Sequence, residues 1–224
     1  MEVFEIKRQT PSFFSVKLMS TEDQIQFHFQ AGQCVNVLTP AGKKACFSIA
    51  SEPEEKKFIE FFLKNQPGSV AQEIYGMKVG QTIKISDPFG KGFPIERFKH
   101  NNLYLIGIGS GLTPLRSLLK SLLRKDHHFK QITLIYGARN QEEIPFKEEF
   151  ELWAKKIRLH IALSQPLGDT WVGFKGRVTA LIWQLEIASE GVMCCVCGNK
   201  EMEEEVRNLL ERKGVSKQNI LLNY

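Results

Sequence analysis

The segment LYLIGIGSGLTPLRSLL, residues 103–119, constrains the fold more than any other part of the chain. An apolar run leads into a turn with glycines at Gly107, Gly109 and Gly111, and leucines at helical spacing follow. Thr113-Pro114 opens the helical part, where proline is preorganised and its missing N–H is not needed. A strand, a glycine-rich turn and a helix are typical of the first unit of a parallel α/β sheet. The N–H groups at such a helix start suit a phosphate group.

The remainder of the second half alternates between strands and helices. Such alternation predicts a doubly wound parallel sheet of five strands that is covered on both faces. The ligand of such a sheet lies beyond the carboxyl ends of the strands where the strand order reverses, here between the first and fourth strands. The predicted strands are Leu103–Ile108, Ile132–Tyr136, Leu159–Leu163, Gly191–Val196 and Asn219–Leu222. The predicted helices are Pro114–Arg124, Phe146–Lys156, Arg177–Leu185 and Met202–Lys213.

The first half has a different pattern, in which short segments of alternating apolar and polar residues are interrupted by glycine and proline. Alternation with a period of two predicts half-buried strands at Phe14–Leu18, Gln24–Phe29 and Thr82–Ile85. Strands of this length and spacing favour a small antiparallel barrel or sandwich, with one short helix at Ser69–Tyr75. We therefore predict a β domain over residues 1–97 and an α/β domain over residues 98–224.

Composition excludes several classes of protein. The net charge of +5 is spread over both halves, which argues against a nucleic-acid or anionic-membrane surface. The first five residues include acids, and no run of about eighteen apolar residues occurs, so neither a signal peptide nor a membrane span is expected. The five cysteines, with Cys194, Cys195 and Cys197 crowded together, fit neither a disulfide framework nor zinc or iron–sulfur spacing. We expect no metal site and a reducing cytoplasmic location.

The glycine loop by itself is a weak signal for a nucleotide. It reads G-x-G-x-G, and the third glycine of the usual dinucleotide fingerprint would fall on Leu112. Tyr136-Gly137-Ala138-Arg139 also stands where an acidic ribose ligand is expected at the end of the second strand. On these residues alone, a tight strand-to-helix turn without a ligand remains open.

Several motifs in their order along the chain resemble the ferredoxin–NADP reductase superfamily, in which a flavin-binding barrel precedes a nicotinamide-binding domain. The resemblance implies an NAD(P)H-dependent flavin oxidoreductase that takes hydride from NAD(P)H onto FAD and passes electrons to an acceptor. Within the superfamily, Ala45-Cys46-Phe47 and the Asn223-Tyr224 ending are most similar to plant kiwi-fruit-protein-like oxidoreductases. The motifs are Gly32-Gln33, Phe47-Ser48-Ile49-Ala50-Ser51, Gly107 to Pro114, Tyr136 to Arg139 and Cys197 to Met202.

The resemblance implies two catalytic residues. Ser48 would hydrogen-bond the flavin atom that receives hydride, and Cys197 would lie beside the reacting carbon of the nicotinamide. The alternatives are a strand serine bonded to the backbone and a small buried hydrophobe. The flavin-binding residues that the resemblance implies are Lys44, Phe47, Ser48, Ile49, Ala50, Gly68, Ser69, Val70 and Ala71. The nucleotide-binding residues are Gly107, Gly109, Ser110, Gly111, Thr113, Pro114, Arg139, Ser164, Gln165, Cys197, Gly198 and Met202.

The sequence departs from the family at the flavin phosphates. Ala45 replaces an arginine that would form a forked phosphate contact, and Ala71 replaces a serine or threonine. Lys44 is adjacent, but strand side chains alternate, so it points away from the Ala45 side unless a bulge redirects it. Ser69 and the helix start remain as phosphate partners. We therefore predict FAD that is readily lost.

Cofactor choice and partner are less constrained. Ser164-Gln165 stands where NADPH-specific members often have Ser-Arg, which predicts a modest preference for NADH, although Arg139 could substitute. The basic excess is compatible with an acidic electron-acceptor protein. The alternative function is a non-catalytic nucleotide-binding or electron-transfer subunit that binds flavin weakly or not at all.

Overall fold

The structure is a computed structural model, and it describes residues 1–21, 28–124 and 129–223. The chain forms two compact units. The first contains Met1–Phe93 and Thr113–Arg124, and the second contains Pro94–Leu112 and Lys125–Asn223. The helix that follows the glycine loop therefore belongs to the first unit. The boundary between residues 97 and 98 stays a prediction.

Two antiparallel sheets of three strands each build the first unit, in the orders β1-β2-β5 and β4-β3-β6. This confirms the antiparallel barrel-like architecture. The strand predicted at Phe14–Leu18 is found at Phe13–Met19, and the one predicted at Thr82–Ile85 is found only at Lys84–Ile85. The predicted strand Gln24–Phe29 lies largely outside the described residues. The elements are β1 (Glu2–Arg8), β2 (Phe13–Met19), β3 (Cys34–Leu38), β4 (Lys44–Ser48), β5 (Phe58–Lys64), α1 (Val70–Tyr75), β6 (Lys84–Ile85) and α2 (Leu112–Arg124).

Inward-facing aliphatic and aromatic side chains form the core of this unit. Val16 on β2 and Phe61 on β5 are paired in the antiparallel register, and neither is accessible to solvent. Burial of each large apolar side chain contributes about 1.5–3 kcal/mol. Strand β5 is buried at five consecutive positions, Ile59–Leu63, so it does not show the alternation of a strand with one face in solvent.

The second unit is a parallel sheet of six strands in the order β10-β9-β8-β7-β11-β12. The predicted α/β class and the reversal of strand order between β7 and β11 are confirmed. The number of strands was predicted as five, and the additional edge strand has only two residues, too few for a periodic pattern. The elements are β7 (Asn102–Ile108), β8 (Gln131–Ala138), α3 (Lys147–Ala154), β9 (Arg158–Leu163), β10 (Phe174–Lys175), α4 (Val178–Gln184), β11 (Val192–Cys197), α5 (Lys200–Arg212) and β12 (Ile220–Leu222).

Strands β7 and β11 are neighbours, and their register places Gly107 opposite Cys197 at the carboxyl ends. The turn after β7 and the turn after β11 therefore leave the sheet side by side, which is the position of ligand sites in doubly wound sheets. Among the described residues, none of the helices combines the length and the apolar character needed to cross a membrane.

Candidate functional site

The glycine loop forms a short 3-10 turn, Gly109–Gly111, between β7 and α2. Gly109 has a φ of 50°, a left-handed conformation that glycine adopts without strain. The Tyr136 hydroxyl on β8 donates a hydrogen bond to the Gly109 carbonyl at 3.2 Å. Burial of Tyr136, and secondarily Glu143, raises the pKa of this hydroxyl, so it remains a neutral donor. Tyr136 thus supports the loop from within the sheet.

Gly111 lies directly against the main chain of Cys197. A Cβ at Gly111 would overlap the Cys197 carbonyl, so only glycine allows the approach. The structure thus brings the two predicted nucleotide-binding segments together. Cys197 itself is 2% exposed. Burial, followed by Cys195 and Glu203, raises the pKa of its thiol well above the ordinary value, so this group is a neutral thiol and not a thiolate.

The turn after Cys197 is tied to helix α5. The Gly198 N–H donates to the Glu203 carboxylate at 2.9 Å, and the Asn199 side chain accepts from the Met202 N–H at 2.9 Å. The Met202 methyl group occupies the space where a side chain on Gly198 would lie. Sequence reasoning missed Glu203, because an acidic residue in the first turns of a helix is common on exposed surfaces.

Arg139 and Gln165 meet at the carboxyl ends of β8 and β9. The Arg139 Nε donates to the Gln165 side-chain oxygen at 2.8 Å, and the Gln165 N–H donates to the Arg139 carbonyl at 2.7 Å. The Ser164 N–H donates to the Ala138 carbonyl, and the Ser164 side chain is exposed. Both residues of the Ser164-Gln165 pair and the nearby guanidinium therefore lie on one accessible edge.

The predicted flavin motif lies on β4, which pairs with β3 without interruption from Cys34↔Ser48 to Leu38↔Lys44. Ala45 and Phe47 lie opposite the buried Val37 and Val35, whereas Lys44 is exposed on the other face. No bulge redirects Lys44 in this pairing. Phe47 packs partly against the barrel core, and the centroids of the Phe47 and Phe61 rings are 6.3 Å apart.

Ser48 shares its face of the sheet with two thiols. Cys34 lies directly opposite Ser48, and Cys46 lies two residues before it. Burial, and then a hydrogen bond with Cys46, raises the pKa of Cys34 to about 12. The chain continues from Ser48 into Ile49 and Ala50, whose side chains are fully buried. Ser48 is therefore next to a segment that the core immobilises.

The segment Gly68–Ala71, which the resemblance assigns to the flavin phosphates, lies at the start of α1. The Ser69 hydroxyl accepts from the Gln72 N–H at 3.1 Å, and Gly68 adopts a φ of 76° just before it. Val70 is half-buried, and Ala71 is 5% exposed within the barrel core. A hydroxyl at Ala71 would therefore point into apolar surroundings.

Lys43, and not Lys44, brings an ammonium group to the start of α1. Its Nζ lies 2.6 Å from the Glu73 carboxylate and 3.5 Å from the Gly68 carbonyl. The side-chain hydrogen bond from Lys43, and then that from Thr39, lowers the pKa of Glu73. A tight turn over Thr39–Lys43 orients Lys43, and this geometry could not be read from residue spacing.

Thr113 is nearly buried, and its hydroxyl donates to the Phe62 carbonyl on β5 at 3.0 Å. Any phosphate contact of Thr113 therefore has to use its main chain. In the part of the chain that the structure describes, no group of three or more His, Cys, Asp or Glu side chains is placed to hold a metal ion.

Two family models match the chain. The oxidoreductase FAD-binding domain matches residues 3–93, and the oxidoreductase NAD-binding domain matches residues 105–208. The chain belongs to the ferredoxin–NADP reductase superfamily. The resemblance inferred from the motifs is thus confirmed, as are FAD and NAD(P) as the cofactors of its two domains. The similarity to plant kiwi-fruit-protein-like oxidoreductases stays a prediction.

Relatives in this superfamily include components of larger assemblies. One subunit of the Na(+)-translocating NADH-quinone reductase of Neisseria gonorrhoeae is 31% identical over 195 residues, which cover 79% of this chain and 48% of that protein. The gamma subunit of sulfhydrogenase 1 of Pyrococcus furiosus is 27% identical over 217 residues, covering 96% of this chain and 74% of the relative. The chain thus spans about half the length of the quinone reductase subunits that it matches.

Solved structures share the fold. A cytochrome P450 reductase of Amycolatopsis has a TM-score of 0.87 at 24% identity, over 99% of this chain and 68% of that one. A ferredoxin NADP+ reductase of Neisseria gonorrhoeae with bound FAD and NADP has a TM-score of 0.84 at 20% identity, over 99% and 96% of the two chains.

The residues present fit the two cofactors unequally. At the NAD-binding domain, the bare glycine main chain of Gly109–Gly111 and the adjacent helix start offer N–H donors to a pyrophosphate. At the FAD-binding domain, Lys43 and Ser69 lie at the start of α1, and neither Ala45 nor Ala71 can donate from its side chain. The predicted site residues of each domain lie within the range that its family model matches.

Proposed function

We propose that the chain takes hydride from NAD(P)H onto FAD and passes electrons to an acceptor, either a protein or a small molecule. The contact between Gly111 and Cys197 supports this proposal most, because it joins the two segments predicted to bind the nucleotide and places a neutral thiol at the end of β11. The predicted roles of Ser48 and Cys197 as catalytic residues belong to the proposal. Hydride transfer needs little acid–base chemistry, which fits a chain whose motifs include no pair of catalytic carboxylates.

The residues of this chain would act by orienting the two cofactors. FAD, when bound, supplies the capacity to accept a hydride and to release electrons singly or in pairs. Ser48 would orient a hydrogen bond toward the ring atom that gains charge, and Phe47 would pack on the ring. The Cys197 thiol would limit where the nicotinamide can lie.

An electron-transfer subunit is the second candidate. The two relatives named as subunits support it. In this case the acceptor is a partner subunit, and the net charge of +5 suits a partner with an acidic surface. A cytoplasmic location stays a prediction.

Turnover with an artificial acceptor tests the proposal. Purified protein supplied with FAD should reduce ferricyanide at the expense of NADH, and protein from which FAD has been removed should not. An electron-transfer subunit would also reduce ferricyanide. It would show no turnover with natural small-molecule acceptors. Binding of both cofactors without any ferricyanide reduction would contradict both candidates and leave a nucleotide-binding protein.

A further inference from the structure

Helix α2 carries a polar stripe along the side that contacts the rest of the first unit. Its members follow the helical spacing i, i+3, i+4, i+7, i+8 and i+11, so they lie on one side of the helix. Their partners are strand β5 and the segment between β4 and β5. The members of the polar stripe are Thr113, Arg116, Ser117, Lys120, Ser121 and Arg124.

Arg116 and Glu60 form the centre of the polar stripe. The Arg116 Nη1 lies 2.8 Å from the Glu60 carboxylate, and the two side chains are 3% and 4% exposed. The same nitrogen donates to the Ala50 carbonyl at 2.9 Å. A buried ion pair adds little net stability against its desolvation, and its best-attested use is to specify one arrangement.

The pair holds the segment that follows the flavin motif. The Ala50 N–H donates to the Glu60 carbonyl at 2.6 Å, and the Ser51 hydroxyl accepts from the Glu60 N–H at 3.1 Å. The Ser117 hydroxyl donates to the Ser51 carbonyl at 2.7 Å. Ala50 and Ser51 are fully buried, and they begin two residues after Ser48. Strand β5 and helix α2 thus both form hydrogen bonds with the Ala50–Ser51 segment.

The same helix begins at the nucleotide site. Thr113 and Pro114 lie in its first turn, within three residues of Arg116, and the Thr113 hydroxyl is bonded to the Phe62 carbonyl on β5. A helix is a rigid rod, so fixing Arg116 also fixes the N–H groups of that first turn. The flavin motif and the phosphate-binding helix start therefore share one buried anchor.

We propose that Arg116, paired with Glu60, is a positioning residue that sets Ser48 relative to the phosphate-binding start of helix α2. The inference rests on the proposed hydride transfer, in which a misplacement of about 1 Å lowers the rate about 100-fold. Arg116 touches neither reacting atom in this proposal, and it acts through Ala50, Ser51 and the first turn of the helix.

The test compares variants that differ in charge and in geometry. Arg116→Met alone leaves Glu60 buried and unpaired, so the double variant Arg116→Met/Glu60→Gln provides a neutral pair that keeps the fold measurable. Arg116→Lys keeps the charge but loses the planar fork. Ser121→Ala is the matched control, because Ser121 belongs to the same stripe but bonds to Glu54 and to neither Ala50 nor Ser51.

We expect the limiting rate of flavin reduction by NADH to fall about 10- to 100-fold in the double variant and less in Arg116→Lys. The affinities for FAD and for ADP-ribose should stay close to those of the parent, and Ser121→Ala should match the parent throughout. In the absence of cofactors, hydrogen exchange at the main-chain amides of residues 50 and 60 should be faster in the double variant than in the parent.

Equal limiting rates in parent and double variant would overturn the proposal. A rate loss explained by lost FAD or by a lower melting temperature would also overturn it, because the role would then be structural. If the parent itself is not reduced by NADH, the proposed function fails, and unchanged exchange at Ala50 and Glu60 would then overturn the anchoring role separately.

Discussion

The Gly198 amide donates a hydrogen bond to the Glu203 carboxylate at 2.9 Å, which ties the turn after Cys197 to helix α5. Glu203 is 7% exposed. Burial raises the pKa of this carboxyl, and the bond from Gly198 lowers it by a smaller amount. The carboxylate therefore holds the turn at the cost of an unfavourable buried charge.

A pH dependence of stability follows from this raised pKa. The folded state binds a proton on Glu203 more tightly than the unfolded state, so stability is lost as pH rises from the ordinary value of about 4.3 through the raised value. Glu203→Gln should remove this loss. Thermal melts should show the variant at or above the melting temperature of the parent at about pH 8, with the difference shrinking toward about pH 4.

Glu205→Gln is the control for this experiment, because Glu205 lies on the same helix and is exposed. It should follow the parent across the pH range. A Glu203→Gln variant that melts clearly below the parent at about pH 8 would show that the charge stabilises the fold, contrary to this account.

Ser48→Ala should slow flavin reduction by about 10- to 1000-fold, because one preorganised hydrogen bond to developing charge contributes roughly 2–4 kcal/mol. Flavin content should hardly change. Single-turnover reduction by NADH in a stopped-flow instrument measures the effect, and reduction by dithionite serves as the control. Equal rates in variant and parent would remove Ser48 from the mechanism.

FAD should dissociate readily from the parent protein. The loss of the charged phosphate contact at Ala45 removes about 1.5–3 kcal/mol, or roughly 10- to 150-fold in affinity. Ala71 faces the apolar core and adds nothing to this difference. Ala45→Arg should tighten FAD in a fluorescence titration. Lys43→Ala should weaken it, and Lys44→Ala is the matched control, since Lys44 lies on the exposed face of β4. Stoichiometric FAD that survives dialysis of the parent would contradict weak binding.

A modest preference for NADH over NADPH is expected. The Arg139 guanidinium is bonded to Gln165, which offers no second charge to a 2′-phosphate. The ratio of kcat/KM for the two nucleotides measures the preference. Arg139→Ala should lower kcat/KM for NADPH more than for NADH. A clear advantage for NADPH in the parent would reverse this assignment.

Periodicity and chain order were sufficient to predict much of the fold. The alternation of strands and helices predicts which strands are central, and the convergence of Gly107 with Cys197 follows from the winding rule alone. Leucine spacing predicts helix α2. These features depend on local patterns that repeat over many residues, which is why they can be read without coordinates.

The remaining features depend on contacts between distant parts of the chain. The Arg116–Glu60 pair joins a helix and a strand from different halves of the sequence, and neither residue belongs to a motif. The approach of Lys43 to the start of α1 depends on the geometry of one tight turn. Strand β10 is too short to leave a pattern. Burial of charge, as at Glu60, is a tertiary property that hydrophobic patterns do not reveal.

Anaerobic addition of NADH to the protein supplied with FAD tests the central claim most directly. Absorbance of the bound flavin at about 450 nm should bleach with one equivalent of NADH, because the nucleotide delivers one hydride per FAD. Unbleached flavin in protein that binds both FAD and ADP-ribose would contradict hydride transfer between the two cofactors.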